Sequence, residues 1–161
     1  MKTEYLLSPK SFKFNMLGAF GLILFRETMI LQQWFSVMTQ YRWLSVTVYV
    51  AGLGMLLLAV EKIIDSYVQK IIITPQEITF QSLGMVVTVK WNDAQRIDTY
   101  QYTNWPQDCI CAPRNKAVIK GWQSFCGYGK EVRIPLEDFS RNWRDTELGQ
   151  QIKQYAPHLF Q

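Results

Sequence analysis

The sequence predicts an α+β membrane protein in which a two-helix transmembrane hairpin is followed by an antiparallel β domain with a C-terminal α-helix. Three observations carry this. Leu44–Val60 contains no charged residue. Beyond about Tyr67 the apolar residues change to the alternating period of strands. Near the end, Leu148, Ile152 and Tyr155 recur at i, i+4 and i+7, which is helical spacing. Residues 1–62 are accordingly expected to form the anchor and 63–161 a cytoplasmic β domain.

The second hydrophobic segment, WLSVTVYVAGLGMLLLAVEK, is long enough to cross a hydrocarbon core of about 30 Å. Tyr41 and Trp43 sit at one end, where amphipathic rings favour the interface, and Glu61-Lys62 closes the other. Gly52 and Gly54 form G-x-G rather than the G-x-x-x-G spacing of helix dimers. The first segment, FNMLGAFGLILF, is short, and Arg26-Glu27 interrupts it before MILQQWF resumes. One reading begins a helix near Ser11 and ends it a turn or two past Arg26, with the charges snorkelling to the interface. A second buries Arg26 and Glu27 against a partner's helix, and a third lays the segment on the surface.

Charge is distributed unevenly. The chain has 161 residues and a formal charge of +4. Residues 1–60 hold five basic and two acidic side chains, whereas the remainder hold twelve and eleven. An excess at the anchor fits orientation and headgroup attraction, not binding of duplex nucleic acid. Lys2, Lys10 and Lys13 precede the first span and Lys62 and Lys70 follow the second, so both termini are expected in the cytoplasm. No cleavable secretion signal is expected, because the N-terminus lacks a compact apolar core followed by a small-residue cleavage site.

In the β half, YVQKIIIT reads as a strand, TPQE as a turn, and EITFQSL and VVTVKW as strands separated at Gly84. RIDTYQY reads as another strand and TNWPQDCICAPRN as a loop. NKAVIKGW and KEVRIPL then supply the last two strands, for six or seven in all. Asn142, three residues before Asp145, has cap-like spacing for the final helix, and Pro157 stops it. Trp143 is expected to pack inward, with Arg141 and Arg144 on the surface.

This order of elements resembles the bacterial pleckstrin-homology-like domains that follow two transmembrane helices in small membrane proteins. The opening hairpin IIITPQEITF, the segment VKWNDAQRI and the closing RIPLEDF carry the resemblance, which covers about residues 10–157. It implies a PH-like β-sandwich or barrel, and these are folding signals that bring no chemistry with them. The tail NWRDTELGQQIKQYAPHLF is similar to those of small cyanobacterial proteins, so the resemblance implies either a bacterial plasma membrane or a thylakoid.

Catalytic chemistry is not expected. His158 follows Pro157 at what reads as a frayed end. Cys109, Cys111 and Cys126 lack the C-x-x-C knuckle of zinc sites and read as free thiols in a reducing compartment. No phosphate loop, dinucleotide fingerprint or H-E-x-x-H occurs. Neither an enzyme, a cofactor nor a metal is expected. The local pattern above background is a run of cations, Arg114, Lys116, Lys120, Lys130 and Arg133, interleaved with Trp105, Trp122, Phe125 and Tyr128. If the last two strands pair, these residues share a face for an anionic headgroup, a nucleotide or a protein partner; otherwise they form an ordinary solvated face.

The functional expectation is a membrane-anchored, non-enzymatic binding or scaffold protein, such as an accessory or assembly subunit of a larger membrane complex. Its expected partners are the lipid bilayer and either a membrane protein or further copies of itself. Arg26 and Glu27 would touch a partner's helices. The alternative is a membrane sensor or effector that takes an anionic lipid headgroup or cyclic nucleotide through the basic set.

Overall fold

Four residues at the start, Thr3–Leu6, form a strand (β1) that the short TEYL pattern did not announce. Ser8 then caps the first helix, its hydroxyl accepting the Ser11 N–H at 3.3 Å, and Pro9 occupies the first turn, where its missing N–H costs nothing. The computed structural model describes residues 2–35, 42–102, 105–122 and 129–160. The chain divides into two compact units, Phe12–Tyr67 and a second formed by Met1–Ser11 with Val68–Gln161.

The first unit holds all but the ends of α1 (Pro9–Phe35) and α2 (Arg42–Val68), each of 27 residues. Both are longer than expected. Helix α1 starts two residues before Ser11 and continues through Arg26-Glu27, which pair with each other, to Phe35. Tyr67 and Val68, assigned to a strand from sequence, are the last residues of α2. The helices run antiparallel. Phe12 meets Tyr67 edge to face at 5.2 Å, and the Arg26 stem lies over Gly52, where an added Cβ would come within 3.5 Å of Arg26 Cγ. In the same register Ala19 and Ala59 are buried, at 1% and 0% exposure.

The outer surface of this pair is apolar. Phe14, Leu17, Phe20, Leu24, Val50, Leu53, Leu57 and Leu58 are each more than half exposed. Two 23-residue stretches, Pro9–Leu31 and Val46–Val68, are long and apolar enough to cross a membrane, with only 6% and 11% of their most apolar windows buried. Small side chains therefore face inward and large apolar ones outward. That is the inverse of a helical pair folded in water.

In the second unit eight described strands, all antiparallel, sort into two sheets. Strands β2 (Lys70–Ile73), β3 (Glu77–Ser82) and β4 (Met85–Lys90) alternate strictly: Ile71, Ile73, Ile78, Phe80, Val87 and Val89 are buried. With β1 and β7 (Val118–Lys120) they make a five-stranded sheet of order β1-β2-β3-β4-β7. Strands β5 (Arg96–Tyr102), β6 (Trp105–Pro113) and β8 (Glu131–Pro135) make a three-stranded sheet of order β5-β6-β8. The ladders do not close into a barrel among the described residues.

Three expectations are corrected here. The stretch read as a loop is β6, the nine-residue centre of the smaller sheet. Cys109, Ile110, Cys111 and Ala112 are all buried, so burial on both faces erased the alternation that identifies a strand. The condition that would have put the cations on one face, pairing of the last two strands, is not met: β7 lies on β4 and β8 on β6. Asn142 does not cap the final helix. It precedes a 3₁₀ turn, Trp143–Asp145, and α3 (Glu147–Tyr155) begins after Thr146.

Leu148 and Ile152 of α3 join the core formed by both sheets, with Trp143 at 1% exposure. Tyr155 stacks on Trp91 at 6.2 Å, and the Trp91 indole N–H donates to Thr74 O at 2.8 Å. The tail beyond Pro157 is ordered against this core. Pro157–Phe160 forms a 3₁₀ turn, Leu159 is buried, and a His158 ring nitrogen hydrogen-bonds Ala94 O at 2.9 Å. His158 therefore has a structural contact where a frayed end was expected.

Candidate functional site

The five cations and Trp122 are spread over β7, β8 and the segments that flank them. Lys120 ends β7 and Trp122 follows it, while Lys116 lies in the 3₁₀ turn before that strand and pairs with Asp93 at 3.2 Å. Arg133 belongs to β8, and Lys130 immediately precedes it. Arg114 joins this second group through its backbone, its N–H donating to Lys130 O at 3.0 Å. Phe125 and Tyr128 lie outside the described residues, as does Cys126. Gly129, Lys130, Glu131 and Arg133 line a shallow open depression. Because β7 pairs with β4 and β8 with β6, the cations do not form one continuous face along paired final strands.

On the outer face of the smaller sheet, Arg133, Cys111 and Arg96 lie side by side across β8, β6 and β5. Arg96 makes a two-pronged ion pair with Glu131, at 3.1 and 3.0 Å, and Arg133 covers the Tyr100 ring at 4.0 Å. Cys109 and Cys111 are buried on this same face at 5% and 1% exposure. Burial is the main cause that pushes the Cys109 thiol up to about 12, and Cys111 is raised for the same reason. A thiolate is the nucleophile and the metal ligand, and neither thiol supplies one near neutral pH. Among the described residues no cluster of His, Cys, Asp or Glu is arranged to hold a metal ion. In the folded chain both cysteines are expected to resist iodoacetamide at neutral pH and to react after unfolding in urea. Mass spectrometry of the two peptides reads this directly, and rapid native labelling of either would contradict it.

Three carboxyl groups cluster near the junction of β6 with the segment after β8. Asp108 accepts from the Thr99 hydroxyl at 2.7 Å, the Trp143 indole at 3.1 Å and Arg144 at 3.3 Å. Burial alone would raise this carboxyl, but those three hydrogen bonds outweigh it and hold it below the usual range. Asp138 is displaced the other way, raised by burial against hydrogen bonds from Gln107 and Ser11. Glu137 is raised by burial and by its acidic neighbours Asp108 and Asp138. Opposite shifts in adjacent carboxyls can mark acid–base chemistry. Here Asp108 is fully engaged in fixing Trp143, and Asp138 bonds Gln107 at 2.8 Å while its backbone carbonyl accepts the Ser8 N–H at 2.8 Å. Their partners make them fasteners between segments.

Arg26 and Glu27 sit together on α1 as an ion pair, with Arg26 leaning on Gly52 of α2. The Arg26 Nε is buried without a hydrogen-bond partner among the described residues. Sequence reasoning did not single out Arg96, Tyr100, Asp108, Glu131 or Asp138. Their long-range pairings join residues 31 to 36 positions apart, and no local spacing announces them. No family model, curated protein or solved structure matches this chain.

Proposed function

We propose that the chain is a non-enzymatic, membrane-anchored binding or scaffold module, serving as an accessory or assembly subunit of a larger membrane complex. In this reading α1 and α2 cross the bilayer as a hairpin, and the β unit is a PH-like domain on the cytoplasmic side. The observation that carries it is the inverted helical pair: Ala19, Ala59 and Gly52 inside, Phe, Leu and Val outside. Lipid tails solvate large apolar side chains as well as a protein core does, so in a bilayer close helix contact falls to small residues. The Arg26–Glu27 pair fits a site near the interface or against a partner's helix. Anchoring raises the effective concentration of any partner confined to the same membrane, so a weak contact by the β unit suffices for function.

Affinity purification of the full chain from native membranes in mild detergent tests this. Membrane subunits retained in fixed stoichiometry are the expected result, and a chain that purifies alone would overturn the scaffold role. Thermal stabilisation of that purified chain by a cyclic nucleotide would favour the sensor instead.

A further inference from the structure

Both tethers attach at one end of the five-stranded sheet. Leu6, the last residue of β1, pairs with Lys70, the first of β2. Helix α1 begins at Pro9 and α2 ends at Val68, so the links are two residues and one residue long. The strand register extends this row across the sheet as Leu6, Lys70, Gln81, Val86 and Lys120. The Leu83-Gly84 turn and the exit from β7 through Gly121 to Trp122 therefore lie at the tethered end too.

Trp122 is held there in an unusual way. It is 62% exposed, yet its indole rests on Gly84, where an added Cβ would lie 2.1 Å from Nε1. Gly84 adopts φ +77, and Gly121, at φ +114, approaches so closely that its own Cβ would stand 2.1 Å from Gly84 O. Two positive-φ glycines thus seat a large aromatic ring that the core does not cover. Leu6, at the other end of the row, is 66% exposed. The charges of this edge are Lys70, bridged to Glu4 at 3.1 Å, and Lys120, whereas Lys2 lies beyond the far end of β1. Their sum is positive.

Exposed tryptophan and leucine among lysines match the chemistry of the bilayer interface, where amphipathic rings settle at headgroup depth and cations meet anionic lipid. We infer that this tethered end of the sheet, with Trp122 as anchor and Lys70 and Lys120 as its cations, docks on the anionic headgroups of the bilayer that holds the chain. The inference rests on the proposed anchoring and deepens the anionic-surface reading of Lys120 and Trp122.

The test uses the full chain labelled with 5-fluorotryptophan in nanodiscs doped with a gadolinium-chelate lipid. The discs are either phosphatidylcholine alone or phosphatidylcholine with phosphatidylglycerol, and Trp122→Phe identifies the resonance. The Trp122 signal is expected to broaden strongly in anionic discs and less in neutral ones, while the core Trp143 stays sharp. Lys70→Glu with Lys120→Glu should weaken the docked population, by about fivefold per lysine, with the Trp143 shift unchanged as the check on folding. Equal broadening in both kinds of disc would overturn headgroup recognition. A Trp122 signal as sharp as that of Trp143, beside a broadened Trp43, would overturn docking and leave the anchor intact. If Trp43 also stays sharp, the anchoring itself fails.

Discussion

Replacing Asp108 by alanine is expected to destabilise the β unit by about 3 kcal/mol, the loss of three hydrogen bonds with one buried donor left unmatched. Three donors converge on this carboxylate from β5 and from the turn before α3, and the Trp143 indole among them is 1% exposed. Without the acceptor, that N–H is left unpaired on a side chain that belongs to the same core as Leu148 and Ile152. Asp108→Asn keeps one acceptor and should cost about half as much. The pH dependence follows from the sign of the shift. The folded carboxyl titrates below its ordinary value. Its contribution is therefore present in full above about pH 4, the unfolded value, and is lost as pH falls through the folded one. Urea unfolding followed by tryptophan fluorescence reads both effects, and the gap between wild type and Asp108→Asn should shrink as pH falls below 4. An unchanged midpoint in Asp108→Ala would show that Trp143 is held by packing alone.

The second large effect is expected in α2. Leu53 and Leu57 are 58% and 62% exposed, and Leu57 sits at the centre of the stretch Val46–Val68. If this helix crosses a bilayer as proposed, each leucine-to-arginine change there costs about 3–4 kcal/mol of insertion free energy. Leu53→Arg with Leu57→Arg should therefore shift the chain from the membrane fraction to aggregates or to degradation. Were α2 a helix facing water, the same pair would be neutral or would improve solubility, because the side chains touch little protein. Membrane fractionation of the double variant beside Lys153→Arg, a change on the exposed face of α3, separates the two outcomes.

Much of the architecture was legible because it rests on local periodicity. The run from Leu44 to Val60 marks α2, the alternation through Ile78, Phe80, Val87 and Val89 marks the β3–β4 hairpin, and Leu148 with Ile152 marks the buried stripe of α3. What failed was non-local. Strand β1 has only four residues and finds its partner at Lys70–Ile73, far along the chain. Strand β6 hid because Cys109 through Ala112 are buried on both faces. Strands β7 and β8, of three and five residues, carry no signal that distinguishes pairing with each other from pairing with β4 and β6. The basic set was visible as composition, but the placement of Lys120 on one sheet and Arg133 on the other depended on that same pairing. Lys116 is engaged by Asp93, and Arg133 by Tyr100, through contacts that spacing does not encode. The Gly84–Gly121–Trp122 seat was equally hidden, since Gly84 read only as a strand break and Gly121 drew no notice.

The proposed anchoring requires that α1 and α2 be solvated by lipid. Alkaline carbonate treatment of membranes from cells expressing the intact chain decides this most directly, because it strips proteins held by charge and leaves those embedded in hydrocarbon. The expected result is that the chain sediments with the stripped vesicles and is released only by detergent. Recovery in the carbonate supernatant as a monodisperse species, stable without detergent, would contradict the account.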